Sequence, residues 1–98
     1  MKVRFHPAAE AEHLGQVVFY ESREHGLGKR YLDYFQQTIM AICESPARFA
    51  VEHAPNIRRA RLRPFPLMIL FRELDSGIQV LAVAHYRRRP NYWLGRLR

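Results

Sequence analysis

A change of hydrophobic period between residues 46 and 56 constrains this chain more than any other feature. Before it, apolar residues recur every three to four positions. Leu27, Tyr31, Tyr34, Phe35, Ile39, Ile42 and Cys43 make one face of a helix. After it, Ile57-Arg58-Arg59-Ala60-Arg61-Leu62-Arg63 alternates, Leu67 to Phe71 is continuously apolar, and Ile78 to Ala84 reads as a further strand. The chain has 98 residues, enough for a single domain over 1–98, so helices and strands must share one core. The expected product is an α+β fold.

Local signals order the elements. Lys2-Val3-Arg4-Phe5-His6 alternates as a short strand, and Pro7 opens a helix running to about Arg23, in which Ala11, Leu14 and Val18 recur at helical spacing. Glu10 and Glu12 sit early in it, at the positive end of its dipole. His25-Gly26-Leu27-Gly28 turns the chain into the second helix, and Ser45-Pro46 ends that helix. Residues 46–56 read as a loop. Asp75-Ser76-Gly77 is a hairpin turn between the last two strands. The order is therefore βααβββ, with an antiparallel sheet packed against a helical hairpin and the first strand joining that sheet at an edge or centrally.

Charge is divided unevenly. Of 16 basic and 9 acidic residues, six of each fall in residues 1–50. The net charge of +7 thus arises in residues 51–98, where all ten basic residues are arginine. Arginine's planar fork suits phosphates and carboxylates, so a polyanion or an acidic protein is the expected partner, and a solubilising surface is the plainer alternative. The longest apolar run is too short to span a membrane. Cys43 is the one cysteine and no secretory leader precedes it, which leads to the expectation of a reducing, cytoplasmic setting.

Few residues suggest chemistry. His6, His13, His25, His53 and His85 are scattered without ligand spacing, so no metal or cofactor is expected. Alternation places Arg59, Arg61 and Arg63 about 7 Å apart on one strand face, where they can follow a nucleic-acid backbone or simply be solvated. His85-Tyr86-Arg87-Arg88-Arg89 leaves the end of a strand. There His85 can act as acid or base, Arg87 can hold a phosphate, and Tyr86 and Trp93 can stack on bases. The structural alternative is that His85 closes the strand, Trp93 anchors the C-terminus and the arginines grip a partner.

Phe5-His6-Pro7-Ala8-Ala9-Glu10, Gly26-Leu27-Gly28 with its aromatic helix, Ser45-Pro46 with Phe49, Ile57-Arg58-Arg59, and Val83-Ala84-His85 through Arg87-Arg88 to Pro90 and Tyr92-Trp93 together resemble the RelE/ParE superfamily. These are toxins of type II toxin–antitoxin modules. The resemblance implies a cytoplasmic toxin neutralised by a cognate antitoxin, which the +7 charge suggests carries an acidic, amphipathic segment. It implies one of two activities: ribosome-dependent mRNA cleavage, as in RelE-like members, or poisoning of DNA gyrase, as in ParE-like members. On the RelE-like pattern Arg59 and Arg61 fill the basic positions of the strand after the helices, and Arg87 fills the one after the last strand. Met68 stands where an arginine is expected and Trp93 where a tyrosine is. These departures favour a ParE-like or otherwise non-RelE mechanism, with Arg59, Arg61, Arg63, Tyr86, Arg88, Arg89 and Trp93 as RNA or target contacts and His85 and Arg87 catalytic only in a nuclease. A basic adaptor without toxicity is the third reading.

Overall fold

The computed structural model describes residues 1–97. β1 (Val3–Phe5) leads into α1 (Pro7–Arg23) and α2 (Leu27–Glu44). β2 (Val51–His53), β3 (Ile57–Arg61), β4 (Leu67–Leu74) and β5 (Gly77–His85) follow, and Leu94–Leu97 forms a 3₁₀ turn. The sheet order is β1-β5-β4-β3-β2, antiparallel except that β1 pairs parallel with β5 at the edge.

β2 is a strand where the sequence reads as a loop. Its three side chains are not buried, and its register with β3 is irregular, so no alternation marks it. Arg58 ties the preceding segment down. Its Nη1 donates to the carbonyls of Phe49 (2.6 Å) and Ala47 (3.3 Å).

The first helix opens as its sequence indicates, with Pro7 in the first turn and the His6 Nδ1 accepting the Ala8 N–H at 3.1 Å. Its buried side differs from the expected one. Ala9 is buried and Val17 and Tyr20 pack on the core, while Leu14 and Val18 are 56% and 69% exposed. The inward stripe is hard to read because it contains His13, whose Nδ1 lies 2.9 Å from the Tyr31 hydroxyl and whose ring centroid is 3.9 Å from that of Phe35. Burial lowers the His13 pKa, favouring the neutral ring in that aromatic setting.

The helix hairpin is closed by Glu21. Its carboxylate accepts the N–H groups of Gly26 and Gly28 at 3.0–3.2 Å, satisfying the start of α2. Gly28 is required by proximity, since a Cβ there would lie 2.9 Å from the Val17 carbonyl oxygen. Gly28→Ala is therefore expected to spread the helices and cost about 1–3 kcal/mol, measurable by urea denaturation.

Tyr31, Phe35, Ile39 and Ile42 of α2 meet Ala60, Ile69, Phe71, Val80 and Val83 on one sheet face. Full burial of such side chains contributes roughly 1.5–3 kcal/mol each. The other face carries a second cluster. Ile57, Leu70, Leu81, Ala82 and Ala84 are covered by Trp93, with Tyr92, Leu94 and Leu97 beside it. The sheet is thus packed on both sides, by helices on one and by the C-terminal segment on the other.

Candidate target-binding surface

The register gathers residues far apart in sequence at one end of the sheet. Arg61 pairs with Met68 and Met68 with Ala84, while Leu67 pairs with His85. The Tyr86 N–H reaches the Pro66 carbonyl at 3.0 Å. Arg61, the β3–β4 connection holding Arg63, and the turn from His85 to Arg89 therefore adjoin. Two short bonds form that turn: His85 Nδ1 accepts the Arg87 N–H, and the His85 carbonyl accepts the Arg88 N–H, both at 3.0 Å.

Aromatic rings hold two of the arginines. The Arg61 guanidinium lies over the Tyr86 ring at 5.5 Å, and that of Arg88 over Tyr92 at 3.8 Å. Among the described residues, Arg61, Arg63, Arg87, Arg88 and Arg89 make no salt bridge. Arg59 differs, because its Nη1 lies 2.9 Å from Glu52 Oε1, which spends much of its charge locally.

Three expectations change here. Arg63 is not on β3, which ends at Arg61, so the alternating ladder is Arg59 and Arg61 only. Trp93 is 2% exposed against the sheet, so it anchors the C-terminal segment and has no face to offer a base. The presumed constellation of His85 with Arg59 and Arg61 is also divided by the sheet. Arg59 and Arg61 are in register with Leu70 and Met68, which pack on the C-terminal side. His85 is opposite Leu67, which packs on the helix side. The register thus directs His85 away from Arg59 and Arg61, and at the strand end it borders the small pocket of Met68, Leu70 and Tyr86 only from its rim.

A half-buried polar cluster, of which the sequence marks only Glu12 and that as a charge at the helix dipole, fastens this end together. β1 leaves β5 after Val80, and Glu12 and Arg96 take over the exposed backbone. Glu12 Oε1 accepts the Val83 N–H (3.0 Å) and Arg96 Nη1 (2.8 Å). Its Oε2 accepts the Tyr92 hydroxyl (2.7 Å) and Arg96 Nη2 (2.9 Å). Arg96 also donates to the Leu81 carbonyl at 3.0 Å. Burial alone would raise the Glu12 pKa, but the bonds from Arg96, Tyr92 and Val83 outweigh it and hold the carboxyl below its ordinary value. Burial, then the bond to Glu12, pushes the Tyr92 hydroxyl up to about 12. Nothing in the local sequence marks Glu12 and Arg96 as partners, since they are joined only by the fold.

Beside this cluster, between α1 and the end of β5, runs a groove of about 810 Å³. Phe19, Tyr20, Leu27 and Pro66 give it apolar walls, and Arg23 and Arg88 add positive charge. No helix among the described residues is long and apolar enough to cross a membrane.

Fold and surface together define a class: a small basic α+β protein whose helical hairpin and C-terminal segment clamp a sheet that ends in a guanidinium cluster. A family model described as the ParE toxin of the type II toxin–antitoxin system, parDE, matches residues 3–90, and the chain belongs to that family. It is the toxin component of a type II toxin–antitoxin module, and a cognate antitoxin is its partner. The structure is similar to a chain of the chromosomal ParDE TA system from P. aeruginosa, with a TM-score of 0.70 and 17% identity over 87% of this chain and 95% of that one. No curated protein matches the chain.

Proposed function

We propose that this toxin acts in the cytoplasm as a single domain that binds and poisons DNA gyrase, without cleaving RNA. The observation that carries this reading is the division of the candidate nuclease residues, with His85 on the helix side of the sheet and Arg59 and Arg61 on the other. Met68 adds to it, because an apolar side chain occupies the rung between Arg61 and Ala84 where the cleaving pattern wants an arginine. Phosphoryl transfer needs the acid, the base and the cation around one phosphate, whereas inhibition by contact needs only a shaped and charged surface. Arg61, Arg63, Tyr86, Arg87, Arg88 and Arg89 supply that surface, and Arg59, held by Glu52, borders it.

The antitoxin is expected to lay an acidic, amphipathic segment into the groove between α1 and β5. Apolar residues would fill the space between Phe19, Tyr20 and Leu27 and provide most of the affinity, while carboxylates facing Arg23 and Arg88 would speed association.

Purified toxin added to gyrase in a supercoiling assay is expected to inhibit it or trap cleaved DNA, and antitoxin to reverse the effect. Ribosomes programmed with mRNA are expected to show no new cleavage by primer extension. Codon-specific cleavage with gyrase untouched would reverse the assignment.

A further inference from the structure

We propose that the guanidinium cluster at the end of the sheet binds the phosphate backbone of duplex DNA directly, independently of base sequence. The inference rests on the gyrase reading only in that such a target holds a duplex, and it adds a partner of different chemistry to the same surface.

Charge placement is the first argument. The chain positions of Arg61, Arg63, Arg87, Arg88 and Arg89 adjoin where β3 and β5 end and β4 begins. Among the described residues the nearby carboxylates are already engaged: Glu12 with Arg96 and Glu52 with Arg59. The other acidic residues of this half, Glu73 and Asp75, lie at the opposite end of the β4–β5 hairpin. The positive potential at the cluster is therefore not cancelled locally.

The aromatic residues decide between kinds of nucleic acid. Recognition of single strands relies on open ring faces on which unpaired bases stack. Here the Tyr86 ring carries Arg61, the Tyr92 ring carries Arg88, and Trp93 is buried. Tyr86, 40% exposed, is the one ring of the three left partly open, too few for a run of stacked bases. What remains on offer is a set of forked donors, which suits phosphate oxygens along a duplex. An acidic protein would also meet the charge, but it would gain from a roomy apolar floor; the large groove against α1 shares only Arg88 with the cluster, and the pocket beside Met68, Leu70 and Trp93 holds only about 100 Å³.

Fluorescence anisotropy with labelled 24-base-pair duplexes of unrelated sequence tests this. Neutralising three to five phosphates predicts a log–log salt slope of about −3 to −4.5, so affinity should fall roughly 60- to 500-fold between 50 and 200 mM salt. Arg61→Ala, Arg63→Ala, Arg87→Ala and Arg89→Ala are each expected to flatten the slope by about 0.9. Arg72→Ala is the control: it removes the same unit charge near the hairpin end of β4, where Arg72 bonds Gln79 at 2.8 Å, and should change the slope much less. Equal effects of Arg72→Ala and the cluster variants would reduce the binding to net charge and overturn the proposal. So would tighter binding of single-stranded RNA of equal length, or binding of polyglutamate with no binding of duplex. Circular dichroism of each variant separates loss of contact from loss of fold. If the duplex fails to bind while gyrase is still inhibited, this inference falls alone; if the duplex binds while gyrase is untouched, only the gyrase reading falls.

Discussion

Glu12→Ala is expected to release the C-terminal segment and lower stability by about 2–4 kcal/mol. One carboxylate holds the Val83 N–H, the Tyr92 hydroxyl and both Arg96 amino groups, and its ion pair with Arg96 is only 17% exposed on each side. Its removal leaves a guanidinium, a hydroxyl and a strand-edge amide without their acceptor. In a domain of this size the melting temperature should fall by roughly 4–8 °C per kcal/mol. Trp93, the only tryptophan, reports the event directly, since loosening of the segment exposes its ring and shifts its emission to the red. Unchanged Trp93 emission in Glu12→Ala would show that apolar packing holds the segment without the cluster. The effect also depends on pH with a definite sign. The folded Glu12 pKa lies below its ordinary value, so its stabilisation is full above about pH 5 and is lost as pH falls through the folded pKa. Wild type and Glu12→Gln should accordingly converge in stability on acidification.

The second large effect concerns toxicity. His85→Ala is expected to remain toxic, and the double substitution Arg61→Glu with Arg88→Glu to abolish growth arrest while the protein stays folded. His85 lines the groove and closes a turn through the Arg87 N–H, roles that an alanine loses at modest cost. General acid–base catalysis is worth roughly 10²–10⁴-fold, so a histidine used in that way would be nearly indispensable. The arginines, by contrast, form the proposed contact surface, and reversing two of them replaces attraction by repulsion. Growth curves after induction, with circular dichroism of the purified variants, read both outcomes. Loss of toxicity in folded His85→Ala would return the histidine to a chemical role.

Much of the architecture was legible in the chain because it depends on local rules. Pro7 and Ser45-Pro46 bound the helices, the Gly26-Leu27-Gly28 turn joins them, and the run from Leu67 to Phe71 marks the central strand. The arginine-rich second half likewise announced a basic surface. Local rules misled where burial ran against hydropathy. Leu14 and Val18 are apolar and exposed, whereas His13 reaches into the core because Tyr31 satisfies it. They also missed β2, which contributes backbone bonds without burying a side chain.

The α+β class, the positive half and the family resemblance can be read along the chain, since period, turn residues and charge are properties of neighbouring positions. Which of those residues meet is a matter of the folded chain. Strand register put Arg61 beside Tyr86 and set His85 on the opposite face, and the early end of β1 left an open strand edge for Glu12 and Arg96 to occupy across 84 positions of chain. The physical reason is that side-chain direction alternates at every strand residue, so a pairing register assigns each residue to one face or the other, and spacing along the chain carries no record of which strands will pair.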